Sequence, residues 1–316
     1  EREPPEVDIE QVLLIDDWRL KAYGEISNDF VRMMDRSHGG RMGIWLSVNG
    51  TGIDRAIHPV KRNQRLRLRL VNTANASILS LITEGIQGWV IAMDGQPLDK
   101  PEELGELIIA PGQRVDLLAD IVNESEARLL LVTREGFAPL MRFPVEGMQR
   151  EAVLDPPQPL TSNSLMPIGS LQNVDITELN MQGGAMSGMR KAIYKGRELG
   201  IRDLMSEGMV WAFNGVAGMT EIPLLTAKQN TTVRIRMKND TSFPHGMHMH
   251  GHHFRQVLDP TEQMPSELGP WRDTMLLDRG DVVDIAFVAD NPGKWLLHCH
   301  MLGHQAAGMK TWIQVA

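Results

Sequence analysis

The chain has 316 residues, of which 42% are hydrophobic, with a formal charge of -8 and a single cysteine. This length exceeds what one hydrophobic core serves, so two domains are expected. The acidic balance gives nucleic acid or an anionic bilayer no electrostatic reason to bind, and one thiol excludes an internal disulfide.

In chain order, residues 12–15, 65–71, 89–93, 114–121 and 128–132 read as short strands separated by Gly, Pro, Asn and Asp turns. Residues 65–71 and 232–238 alternate charged with aliphatic side chains, the pattern of a strand with one wet and one buried face. Asp155-Pro156-Pro157-Gln158-Pro159 and the Met/Gly-rich stretch through Met189 lack periodicity and read as a linker. Residues 198–206 are the best helix candidate, and strands are predicted again at 282–288, 294–300 and 310–315. No apolar run approaches the ~20 residues of a membrane span. No signal peptide is visible, and the first residue is Glu.

The chain also repeats itself. Asn49-Gly50 is echoed by Asn214-Gly215, the 65–72 strand by 232–239, and Gly112 and Asp116 by Gly280 and Asp284. Matches in one order at nearly one offset argue for a duplicated domain. The expectation is all-β: two tandem Greek-key sandwiches or barrels, with domains at 1–155 and 196–316 joined by a linker at 156–195.

Chemistry concentrates in the second repeat. Eight of the ten histidines fall between His245 and His304, and the lone thiol sits in His298-Cys299-His300. Alternation along a strand at 294–300 sends His298 and His300 to one face and Cys299 to the other. One segment can then serve two metal sites. His248 and His250 share the same spacing, while His245 points elsewhere and can return to the thiol. A Cys nucleophile needs only one base, and a zinc site only four donors without a thioether. A His, His, Cys set with Met309 nearby favours copper. His38 and His58, far apart in the first repeat, read as ordinary hydrogen-bonding histidines.

These motifs closely resemble those of the multicopper oxidases, the laccase-like blue copper enzymes, whose last cupredoxin domain carries H-P-x-H-L-H-G-H and H-C-H-x-x-x-H-x-x-x-x-M. The resemblance extends to Asp16-Asp17-Trp18-Arg19-Leu20, Met93-Asp94-Gly95-Gln96-Pro97, Trp271-Arg272-Asp273-Thr274 and Ala289-Asp290-Asn291-Pro292-Gly293. It implies tandem cupredoxin-like domains. It also implies type 1 copper ligands at His245, Cys299, His304 and axial Met309, a type 2 ligand at His248, and type 3 ligands at His250, His298 and His300. Cys299 and His304 would carry the electron, with the His304 ring edge facing the reductant. Phenols, aromatic amines or metal ions would be oxidised and O2 reduced to water, in a periplasmic or secreted protein.

Three departures qualify this. Gly246 stands where the family has Pro, which would loosen His245, and Met249 replaces Leu at similar volume. Gly303 occupies the place of a Glu thought to relay protons. His252 and His253 have no ligand role. No H-x-H precedes His245, so the chain is expected to be the second and third domains of a three-domain oxidase. It would then carry four of eight trinuclear ligands and await an N-terminal cupredoxin domain. A non-catalytic blue-copper electron-transfer module is the alternative. A copper-free structural relative is disfavoured by the complete ligand set, and a nitrite reductase by His300. Thioethers of residues 181–189 could meet Cu(I), although packing explains them better.

Overall fold

The computed structural model describes residues 4–258 and 267–316. Strand makes up 50% of the chain and helix 5%, in keeping with the all-β expectation. There are two compact units, Glu1–Ser27 with Met42–Asn163 and Asn28–Arg41 with Ser164–Ala316. Among the described residues no helix is long and apolar enough to cross a membrane.

In the first unit, a seven-stranded sheet faces a five-stranded one. Ile9–Trp18 runs parallel to Arg65–Asn72, which pairs antiparallel with Arg114–Ile121. In the second sheet, Leu79–Glu84 lies between Leu107–Ile109 and Glu126–Thr133. Alternate residues Leu66, Leu68 and Leu70 meet Leu81, Leu129 and Phe143 in one apolar core. At ~25 cal/mol per Å2 of apolar surface, such side chains supply most of the drive to fold.

The second unit repeats this plan. Ile176–Gly183 runs parallel to Thr232–Asn239, which pairs antiparallel with Val282–Val288. His245–Met249 lies between Thr274–Leu277 and Gly293–Cys299. The duplication reaches single side chains. Asn49 and Asn214 each open an Asn-Gly turn at positive φ (52° and 48°). Each also accepts from the backbone N–H of the neighbouring strand, at Leu14 and Asn180 respectively. Asn72 and Asn239 each donate to backbone carbonyls across their turns.

Four expectations need correction. The charged faces of strands 65–72 and 232–239 are only partly wet, with Lys238 exposed but the arginines nearer the start of each strand buried. Arg67 and Arg234 are each 1% exposed, because a neighbouring strand supplies Asp116 at 2.6 Å and Asp284 at 2.6 Å. Arg65 is likewise buried against Asp120, with two contacts of 2.7 Å. An ion pair can leave water only when its hydrogen bonds are met inside.

The linker at 156–195 is not uniformly a linker, since it contains the strands Ile176–Gly183 and Lys191–Tyr194. Its irregular part covers sheet surface: Leu160 packs beside Trp89, Ile91 and Leu118 in the first unit, and Ile168 and Leu171 beside Val257 and Ala286 in the second. Nor does the domain boundary follow sequence order, because residues 28–41 belong to the second unit, not to a domain at 1–155. Finally, the helix is Ile201–Ser206; residues 197–200 form a strand paired with Lys191–Tyr194.

Candidate metal centre

Two groups of metal-ligating side chains come together in the second unit, one on each side of the strand Gly293–Cys299. Cys299 at the end of this strand, His245 at the start of its neighbour and His304 in the helix Leu302–Ala306 are all fully buried. His245 Nδ1 and His304 Nδ1 stand 3.1 Å apart, and Cys299 Sγ lies 3.7 Å from each. A point about 2 Å from all three atoms exists inside this triangle, close to the ~2.0–2.3 Å at which imidazole and thiolate bind a first-row metal.

The tautomers support that reading. His304 Nε2–H donates to the His38 carbonyl at 2.7 Å, which leaves Nδ1 as a lone pair. His245 Nε2–H donates to Thr241 Oγ1 at 2.8 Å, whose own proton goes to Asn239 Oδ1. Two lone pairs facing each other at 3.1 Å repel unless a cation lies between them. A proton is a poor candidate. Burial holds His245 well below the usual imidazole range and lowers His304 to about 4. Burial also pushes the Cys299 thiol up to about 12, so metal binding must displace its proton.

Met309 is buried just before the strand Lys310–Val315 and is tied into the same loop. Its carbonyl accepts from Cys299 N, and its N–H donates to the His304 carbonyl. Gly308, at φ +124°, lets the loop return over Trp211, since a Cβ there would stand 2.2 Å from the Trp211 carbonyl oxygen.

The second group is His248, His250 and His298. His248 Nδ1–H donates to the Asp273 carbonyl and Thr274 Oγ1, both at 3.0 Å, so Nε2 faces the group. His298 Nδ1–H donates to the Cys299 carbonyl at 2.9 Å and presents Nε2 to His250 Nε2 at 3.0 Å. Burial lowers the His298 imidazole to about 4. His300 stacks on His298 with ring centroids 5.8 Å apart, and its Nδ1 is buried without a hydrogen-bond partner among the described residues. It adjoins the group rather than completing it. After His250 the chain turns at Gly251, where a Cβ would lie 2.2 Å from the Trp295 ring.

Several sequence-level readings change here. The His304 edge does not face a reductant, because it is 0% exposed and capped by the His38 carbonyl. His38 therefore touches the site through its backbone, in the same unit as the candidate ligands. Gly246 does not loosen its strand, because it pairs with Leu276 and its carbonyl accepts from His300 N. His252 packs on Phe287 and Trp295, consistent with a structural role. His253 lies 3.9 Å from Asp273. Of the Met-rich segment, Met181 is core and Met186 is exposed.

Trp211 carries no metal-binding group and so has no site signature in the sequence. It is fully buried, with its ring 4.6 Å from that of His304 and 5.0 Å from that of His245. In the first repeat the same register place, three residues before the turn Asn, is held by Leu46, while Trp45 falls one residue earlier, on the other face of its strand, and is 39% exposed.

A β-sandwich holding a His–His–Cys triangle and, one residue along the same strand, a cluster of imidazoles is a cupredoxin-type copper domain. The chain belongs to the multicopper oxidase family, which it matches over residues 11–137 and 195–316. It is 26% identical to the multicopper oxidase MmcO of Mycobacterium tuberculosis, across 98% of this chain and 63% of that protein. It is 34% identical to Lac15 from a marine microbial metagenome, with a TM-score of 0.71, covering 99% of this chain and 67% of that one. A multicopper oxidase from Pseudomonas thermotolerans shares the fold, with a TM-score of 0.79 at 24% identity, over 100% and 70% of the two chains. The chain thus spans less than two thirds of the length of the MmcO relative.

Proposed function

We propose that this chain is the electron-accepting part of a laccase-like multicopper oxidase. His245, Cys299, His304 and Met309 would hold its type 1 copper, while His248 (type 2) and His250, His298 and His300 (type 3) would supply half the ligands of a trinuclear site. The observation that carries this reading is the triangle of two imidazole lone pairs and one thiol in a dry pocket. Copper, when bound, supplies one-electron redox chemistry, so that four electrons from phenols, aromatic amines or metal ions reduce O2 to two waters.

The protein's own contribution is placement. Thr241 and the His38 carbonyl fix which nitrogen of His245 and His304 faces the site. Cys299 links the two groups covalently, being the residue next to both His298 and His300. His248, His250, His298 and His300 offer four imidazoles, whereas the resemblance calls for eight. A further cupredoxin domain with paired H-x-H motifs, in the same polypeptide or another, completes the site. A periplasmic or secreted setting follows from the family likeness.

The test is oxygen consumption with a phenolic reductant by copper-loaded chain. It should turn blue, bleach by one electron per type 1 copper, and show no sustained turnover until a complementary domain is added. Laccase-like turnover by this polypeptide alone would overturn the ligand arithmetic, and a colourless copper-loaded chain would overturn the type 1 site.

A further inference from the structure

We infer that residues 28–41, pinned by Trp211, select which reductants deliver electrons to His304. The electron crosses the His304 Nε2–H···O=C hydrogen bond to His38, and the donor meets the segment rather than the imidazole. This rests on the type 1 reading above.

The imidazole of His304 is fully buried, and its only polar hydrogen is spent on the His38 carbonyl at 2.7 Å. A phenol or carboxylate therefore has no N–H to bond. The segment is held on several sides. Trp211 Nε1–H donates to the Arg36 carbonyl at 2.6 Å, and Ala185 N–H donates to the Ser37 carbonyl at 2.7 Å. The His38 ring hydrogen-bonds the Met34 carbonyl and packs edge-on against Phe243 at 5.5 Å. Below it lies Gly303, where even an added Cβ would stand 4.0 Å from Arg36 Cα. A long side chain at position 303 would occupy the space the segment uses.

Each transfer moves one electron. The donor is oxidised by one equivalent, Cu(II) becomes Cu(I), and a phenolic donor loses its proton to water. The pinned peptide favours donors that transfer through an intervening bond and disfavours donors that must touch the ring. Hydrogen bonds and ordered peptides are adequate bridges, whereas a closed segment excludes close contact.

The experiment follows anaerobic bleaching of the blue band in copper-loaded chain by stopped flow. The two donors are hydroquinone and the outer-sphere complex hexaammineruthenium(II). Trp211→Phe keeps an aromatic ring but removes the Arg36 pin, and His38→Gly loosens the bridging carbonyl without touching Trp211. Both variants should bleach roughly tenfold faster with hydroquinone and about threefold slower with the ruthenium complex, whose bridge through the His38 carbonyl is loosened. In 15N-histidine-labelled chain, the His304 Nε2 proton should exchange slowly in the parent and faster in both variants. If Trp211→Phe fails to take up copper, His38→Gly carries the test. An unchanged ratio of the two rates in a blue variant overturns the inference while leaving the copper reading intact. A colourless parent overturns the copper reading first.

Discussion

Leu79 pairs with Ile109 in the first unit as His245 pairs with Leu277 in the second. One ladder further, Ile82 faces Leu130 where His248 faces His298, and Leu81 faces Leu131 where Met247 faces Cys299. The same sandwich thus carries aliphatic side chains in one copy and the candidate ligand groups in the other. The loops differ as sharply. Only Arg134-Glu135 separates the strands Glu126–Thr133 and Gly136–Met148, whereas residues 300–309 intervene between Gly293–Cys299 and Lys310–Val315. His304 and Met309 lie in that longer loop. The first unit shows that the framework closes without a metal. The second buries a thiol and several imidazoles, which is costly unless something coordinates them.

Cys299→Ser should break the comparison most completely. It puts a weak, hard oxygen donor where the triangle needs a thiolate, so the blue band and type 1 copper uptake should vanish while the fold persists. Visible absorption and copper per chain measure this. A variant that stayed blue would place the metal elsewhere.

Next in size are the buried ion pairs that both units share. Asp284 serves Arg234 and Arg236, and Asp116 serves Arg67 and, at 3.8 Å, Arg69. Removing either carboxylate strands a buried guanidinium, so Asp284→Ala and Asp116→Ala should each cost about 3–5 kcal/mol in urea unfolding. A cost below about 1 kcal/mol in one unit alone would show that the duplicated pair is structural in only one copy.

Much of this was legible in advance, for definite reasons. Alternation fixes faces, so His298 and His300 could be separated from Cys299, and the structure puts Sγ with His245 and His304 while His298 joins His248 and His250. Asn-Gly turns announce themselves through their φ. Three features were not legible. Burial of Arg67 and Arg234 depends on a partner some fifty residues away, so alternation alone mistakes a paired face for a wet one. The assignment of residues 28–41 to the second unit rests on the backbone carbonyls of Arg36, Ser37 and His38, which leave no side-chain signature. Trp211 takes the register place that Leu46 holds in the first unit, so the repeat gives no sign that an aromatic ring there meets His304.

Acid should separate the units again. Burial lowers His304 and His298 to about 4 and holds His245 well below its ordinary value near 6.5. The folded state therefore binds fewer protons than the unfolded one across that window. Stability is fully present above about pH 6.5 and is lost as pH falls toward 4, by on the order of a few kcal/mol. In the first unit, His58 is lowered by burial as well, but it stands alone. Hydrogen exchange read peptide by peptide in metal-free chain should show the second unit loosening first between pH 6.5 and 4. Loss of protection beginning in the first unit would contradict the histidine account.

The smallest effect tests whether the shared framework is independent of the metal. Asn49 and Asn214 each hold a turn at positive φ, where an alanine is strained by its Cβ. Each also donates Nδ2–H to the carbonyl of the adjoining strand, Val12 and Glu178 respectively, at 2.9 and 2.8 Å. Alanine loses both side-chain bonds at a partly exposed site, so each substitution should cost about 1–2 kcal/mol. Glycine relieves the strain but not the lost bonds, and should recover part of that. The two positions should agree within ~0.5 kcal/mol, the usual spread for equivalent, independent sites. Asn214 closes the strand that carries Trp211, so it also reports on the ligand pocket. If the turn only shapes the sandwich, copper-loaded Asn214→Ala should keep its blue band. A shifted band in Asn214→Ala would mean that in the second unit the duplicated frame has become part of the metal site.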